Sequence, residues 1–157
     1  MNIRMFETKD AEEISELIIH TLRTTNVKDE PVEEIEKVVS IMTPEAIIER
    51  ASFTNFYVFE EESKIVGTGA IGPYWDSETE SSLFTIFVSP DYQGKGIGKL
   101  IIQTLESDFY FKRAERIEIP ASITAVHFYR KYGYDYKDGI KEPDDEGLLR
   151  LEKFKHN

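Results

Sequence analysis

The sequence predicts one α/β domain: a single mixed, mostly antiparallel central sheet flanked by helices. Three observations point there. Short β-rich apolar runs recur at 3–6, 56–59, 64–71, 83–88, 116–119 and 148–154. Apolar residues at helical spacing cluster in two blocks, between 14 and 48 and again after 95. Only the polar turn 60–63 separates two of the β runs, so the first half pairs as a hairpin and not as repeated βαβ units.

The elements follow in order. Residues 3–6 read as a first strand, and Asp10 with Glu13 fits a capping box opening a helix with Ile14, Leu17, Ile18 and Leu22 on one stripe. Pro31 suits the first turn of a second helix carrying Ile35, Val38 and Val39. Thr43-Pro44 starts a third, with Ile47 and Ile48. The run 83–88 is almost unbroken, as expected of a central strand buried on both faces, and only Thr85 interrupts it. Thr85 either lines a cleft or bonds locally. A long helix is predicted from Lys95 to about Tyr110, with Ile97, Leu100, Ile101, Thr104 and Leu105 on its apolar stripe. A strand at 116–119 follows. Ala125, Phe128, Tyr129 and Tyr132 form another helical stripe, closed by Gly133. Residues 134–136 and 148–154 read as a closing hairpin.

Length and composition narrow the function classes. A chain of 157 residues suits one compact domain, residues 1–157, with its own core. There is no cysteine, which removes disulfides and thiol catalysis, and His20, His127 and His156 show no metal-ligand spacing, so no metal is expected. The acidic start and the lack of any ~20-residue apolar run predict a cytoplasmic protein with no membrane contact. A net charge of −11 argues against a nucleic-acid partner. That charge serves solubility, or steers a cationic substrate.

Two glycine patterns compete for a phosphate-binding role. Gly67, Gly69 and Gly72 match G-x-G-x-x-G by letter, but Pro73 follows at once and no helix opens there, so they read as a strand of small residues. The stretch Gln93-Gly94-Lys95-Gly96-Ile97-Gly98 sits between a strand and a helix. Helix N-termini carry unpaired N–H donors and about half a positive charge, and glycine lets the main chain approach an anion. The spacing is not that of a P-loop, and no hydroxyl follows Lys99 to hold magnesium.

Gln93, Gly96 and Gly98, preceded by Val88-Ser89-Pro90, resemble the acetyl-coenzyme A signature of GNAT-type N-acetyltransferases. The downstream run from Ala125 through Phe128, Tyr129 and Gly133 to Tyr134 resembles the same family's second motif. The resemblance implies the GNAT fold and acetyl-coenzyme A as co-substrate. It places the diphosphate on main-chain N–H groups of Gly94, Lys95, Gly96, Ile97, Gly98 and Lys99. The pantetheine arm would pair with Phe87 and Val88 where that strand splays from the one at 116–119. Tyr129 matches the position of the acid that protonates the departing thiolate, and Glu118 that of a possible carboxylate base, against a solvated strand residue as the alternative. Ser122 stands where many members carry asparagine; it keeps one donor for the cofactor arm, or else caps the helix. The implied reaction is direct attack of a primary amine, small molecule or peptide, on the thioester. Tyr74, Trp75, Asp76, Glu78 and Glu80 offer contacts to a cationic acceptor. A non-catalytic acyl-coenzyme A sensor is the rival. The acceptor and the oligomeric state are unspecified, and a homodimer stays open.

Overall fold

The chain opens in a computed structural model that describes residues 1–155, and His156 lies outside the described residues. Strand β1 (Asn2–Met5) turns into helix α1 (Ala11–Thr24) through Asp10. The Asp10 carboxylate accepts the Glu7 N–H at 2.8 Å and the two terminal nitrogens of Arg4 at 2.8 and 2.9 Å. Glu13 does not complete the expected capping box. Its carboxylate accepts the Ile65 N–H at 2.8 Å instead, pinning the helix to the sheet. Helix α2 (Val32–Ile41) follows Pro31, and α3 (Pro44–Ser52) is capped by Thr43, whose hydroxyl accepts the Ala46 N–H at 3.1 Å.

Strands β2 (Asn55–Glu61), β3 (Lys64–Pro73), β4 (Glu80–Val88), β5 (Arg116–Ser122), β6 (Asp135–Tyr136) and β7 (Leu148–Phe154) complete one seven-stranded sheet. Its order is β1-β2-β3-β4-β5-β7-β6, and only β4 and β5 run parallel. The strand buried along its length is β3, where residues 65–72 are all buried, and not β4. In β4 only Leu83 of the run 83–88 is fully buried. The reason is the parallel pairing, which joins Glu80, Ser81 and Ser82 to Arg116, Ile117 and Glu118 and then stops. Beyond it the two strands part, leaving a V between their carboxyl ends. A bulge reinforces the divergence: the β3–β4 register slips opposite Gly69, and Thr85 takes φ +53°. The Thr85 carbonyl accepts the Thr68 hydroxyl at 2.8 Å, so Thr85 acts through its backbone.

Helix α4 (Ile97–Glu106) is shorter than its sequence pattern. Asp108 breaks it and caps α5 (Phe109–Lys112), accepting the Tyr110 N–H at 2.7 Å and the Asn55 amide at 2.9 Å. Helix α6 (Val126–Arg130) is a single turn and a half, ended by Gly133 at φ +95°. One core, with Ile14, Ile18, Leu22, Ile35 and Ile47, lies under α1–α3. The other, with Ile101, Ile102, Leu105, Ile117 and Tyr129, lies under α4–α6. Gly67 and Gly69 belong to β3 and meet α4: a Cβ on Gly69 would lie 2.6 Å from Ile101 Cγ2. They serve packing, as their strand context predicted. Among the described residues no helix is long and apolar enough to cross a membrane.

Candidate functional site

The glycine loop joins the end of β4 to the start of α4. Gly94 and Gly96 adopt φ +79° and +83°, a region costly for residues with a Cβ, and nothing else crowds either one. Here conformation, and not space, requires glycine. The first hydrogen bond of α4 is Leu100 N–H to Gly96 C=O, 3.1 Å. The N–H groups of Ile97, Gly98 and Lys99 therefore lead the helix without an intrahelical acceptor. The side chains of Lys95 and Lys99 are exposed beside them, and Lys95 Nζ lies 5.0 Å from the Tyr92 ring centroid. This donor set fits a diphosphate. Gly98 has a different constraint, since a Cβ there would lie 3.0 Å from Phe128 Cζ, so it sets the distance between α4 and α6. A cavity of about 390 Å³ adjoins the loop at Tyr92, Lys95 and Gly96 but touches neither Val88, Ser122 nor Tyr129, so it is separate from the V.

Along the V, β4 past Ser82 and β5 past Glu118 have no strand partner for the edges that face each other. Phe87 and Val88 are half-buried there. Gln93 does not lead with its side chain into the loop. Its amide donates to the Val88 carbonyl at 3.3 Å and to the Thr25 hydroxyl at 3.2 Å. One acceptor expected for a pantetheine arm is thus already engaged.

Tyr129 is 4% exposed and packs edge-on against Phe128, with ring centroids 5.5 Å apart. Its hydroxyl makes no hydrogen bond among the described residues, yet no fully buried side-chain oxygen lacks a partner. The hydroxyl oxygen therefore keeps a sliver of uncovered surface, while the phenol as a whole is buried. Burial raises the phenol's pKa well above its ordinary value, so it is protonated at neutral pH. Tyr134 differs: it donates to Glu106 at 2.9 Å.

Glu118 sits at the vertex of the V, opposite Ser82 in the last parallel pair. It is 2% exposed, which overturns the solvated alternative. Its Oε1 accepts Arg116 at 3.0 Å and Lys137 at 2.9 Å, and its Oε2 lies 3.8 Å from Arg150. Arg116 in turn binds Glu80 at 2.7 Å and Glu152 at 2.9 Å, and the Tyr74 ring lies over it at 4.8 Å. Burial of cations and carboxylates together is tolerated because each is paired.

Ser122 precedes the turn into α6 but does not cap it with its side chain. It instead accepts the buried Asn26 amide at 3.4 Å. The same amide donates to Glu30 at 3.1 Å, and Thr124 donates to Glu30 at 2.8 Å. The corner between α1 and α2 thus spans both arms of the V, through Thr25 to the glycine loop and through Asn26 and Glu30 to the end of β5. Sequence reasoning missed Thr25, Asn26, Glu30, Thr124, Arg116 and Lys137, for nothing local marks them. Arg130 pairs with Asp135 at 3.2 Å, so part of its charge is already engaged.

Comparison with known proteins agrees with this architecture. An N-acetyltransferase of undetermined function from Methanocaldococcus jannaschii, MJ1207, is 33% identical over 106 residues, or 62% of this chain and 44% of that protein. The chloroplastic GCN5-related N-acetyltransferase 2 of Arabidopsis thaliana is 26% identical over 89 residues, 57% of this chain and 31% of that one. The chain spans less than half the length of both relatives. Among solved structures, the PaiA N-acetyltransferase of Thermoplasma acidophilum, in complex with coenzyme A, superposes with a TM-score of 0.80 at 18% identity, covering 98% of each chain. Ard1 of Thermoplasma volcanium gives 0.73 at 18%, covering 99% and 98%. At such identities the likeness shows the fold alone. The model of the acetyltransferase (GNAT) domain matches residues 26–147, from the corner that spans the V to the last turn before β7, and the chain belongs to that family.

Proposed function

We propose that the chain transfers an acetyl group from acetyl-coenzyme A to a primary amine by direct attack within a ternary complex. The single observation that carries this reading is the open V beside a helix that starts on two left-handed glycines. The main-chain N–H groups of residues 94–99 would hold the diphosphate. The unpaired edge of β4 at Phe87 and Val88 would take the pantetheine amides, displacing the Gln93 side chain from the Val88 carbonyl, and Ser122 would add one contact. Bound acetyl-coenzyme A supplies a thioester carbon open to an amine.

The chain's own groups do the rest. A fixed N–H on the free edge of β4 stabilises charge growing on the carbonyl oxygen, an effect of about 3 kcal/mol where such a donor is well placed. Tyr129 donates its proton to the departing sulfur, a contribution of roughly 10²–10⁴-fold. Glu118 has both Oε1 contacts occupied by cations, so we assign it to positioning Arg116 and Lys137 at the vertex. The amine's proton then leaves to solvent, and solvent returns one proton to the Tyr129 phenolate.

Thiol release from acetyl-coenzyme A across an amine panel, run beside calorimetry with coenzyme A, tests this reading. Saturable heat with amine-dependent thiol release is expected. Heat without thiol release for any amine would favour the sensor, and no heat with folded protein would remove the site.

A further inference from the structure

We infer that Glu30 binds a second ammonium group of the acceptor, so that the preferred substrate is an aliphatic diamine. The inference rests on the acetyl-transfer reading and names the acceptor class for it.

Position comes first. The segment from Thr25 to Glu30 touches both diverging arms, at Gln93 on one side and at Ser122 and Thr124 on the other. Glu30 therefore stands at the open end of the V. Its orientation is set: Oε2 takes both the Asn26 amide and the Thr124 hydroxyl, and Asn26 itself is only 6% exposed. Two neutral donors on one oxygen leave Oε1 without a protein partner among the described residues. Since no fully buried side-chain oxygen lacks a partner, Oε1 meets solvent.

Charge comes second. Of the other carboxylates fixed around the sheet, Asp10 and Glu60 are compensated by Arg4, Glu118 and Glu152 by Arg116, and Glu106 by Lys153, whereas Glu13 and Asp108 accept only neutral donors, at Ile65 and at Asn55 and Tyr57. Glu30 makes no ion pair among the described residues. An uncompensated carboxylate at the mouth of an anion site weakens that site by like-charge repulsion. It becomes favourable when the second ligand brings a cation. The attacking amine cannot be that cation, because an ion pair would hold it protonated and without a lone pair. A second ammonium on the same molecule satisfies both demands, and the chain's net charge of −11 favours its approach.

The test is calorimetric titration of 1,4-diaminobutane and of butylamine into wild type and Glu30→Gln, with and without coenzyme A, alongside thiol release. Glutamine keeps an oxygen for Asn26 and Thr124 and replaces the other oxygen by a neutral amide nitrogen. Wild type is expected to bind the diamine about tenfold more tightly than the monoamine, and Glu30→Gln to lose that preference while its affinity for coenzyme A holds or rises. Equal affinity for the two amines in wild type, absence of diamine binding, or a preference kept in Glu30→Gln would overturn the inference. Diamine binding that depends on Glu30 but leads to no thiol release would keep the ammonium site and overturn the transfer reaction, and with it the substrate assignment.

Discussion

Tyr129 and Tyr134 are both buried, and their hydroxyls have different fates. The Tyr134 hydroxyl is anchored on Glu106, whereas that of Tyr129 has no protein acceptor among the described residues. A hydroxyl without a hydrogen-bond partner adds little to stability, so Tyr129 contributes to the core through its ring. Tyr129→Phe is thus expected to change the urea midpoint little, by under ~0.5 kcal/mol of stability. It should lower turnover by roughly 10²-fold while coenzyme A still binds. Steady-state kinetics beside calorimetry checks this, and unchanged turnover would take Tyr129 out of the mechanism. Glu118 illustrates the opposite case. Sequence alternation places it opposite Ile117 and Ile119, but only the fold surrounds it with Arg116, Lys137 and Arg150.

At the scale of elements, the site depends on how closely α4 lies on the sheet. Gly67 and Gly69 clear the path on β3, and Gly98 clears it toward Phe128 on α6. A methyl group at Gly69 would meet Ile101 Cγ2 at 2.6 Å and Leu105 Cδ1 at 3.3 Å, neither of which has room to retreat inside the core. Gly69→Ala is expected to cost about 1–3 kcal/mol by overpacking. Because α4 carries the leading N–H groups at 97–99, the same variant should weaken coenzyme A binding. Urea unfolding and calorimetry on one preparation would show both effects. Asp108 sets the other end of α4, tying the break before α5 to β2 through Asn55 and Tyr57.

Across the whole molecule, the sheet separates two cores, and charged clasps hold its margins to the helices. The clearest joins β1, β2 and the start of α1 through Arg4, Asp10 and Glu60. Hydrogen bonding from Arg4 holds the Asp10 carboxyl below its ordinary pKa, against the opposing effect of burial. A depressed folded-state pKa means stability that is present above the unfolded value, about 4, and lost as pH falls through the folded one. Asp10→Asn is expected to cost about 1–3 kcal/mol at neutral pH. The gap from wild type should narrow as pH drops below about 4. Urea midpoints measured from about pH 7 down to about 3, on both sides of the ordinary carboxylate pKa of about 4, decide it, and a gap constant over that range would show that the clasp is not responsible.

Periodicity and punctuation carried the order of elements, because 3.6- and 2-residue repeats, Pro31, Thr43-Pro44 and Gly133 act within a few residues of themselves. The glycine loop was legible for the same reason: left-handed backbone at Gly94 and Gly96 is a local demand. Length of the parallel pairing was not legible. An apolar run looks alike whether it is buried on both faces or lines a cleft, and it is the departure of β5 after Glu118 that leaves Phe87 and Val88 half-open. The clasp over that cleft lay still further out of reach, for it joins residues 68, 94 and 96 positions apart with single hydrogen bonds. Such contacts leave no repeat in the chain, since they arise only after packing has brought distant segments within 3.5 Å. The local code therefore settles which helix begins at the glycine loop, and tertiary packing settles which carboxylate near the open end of the V is left without a cation.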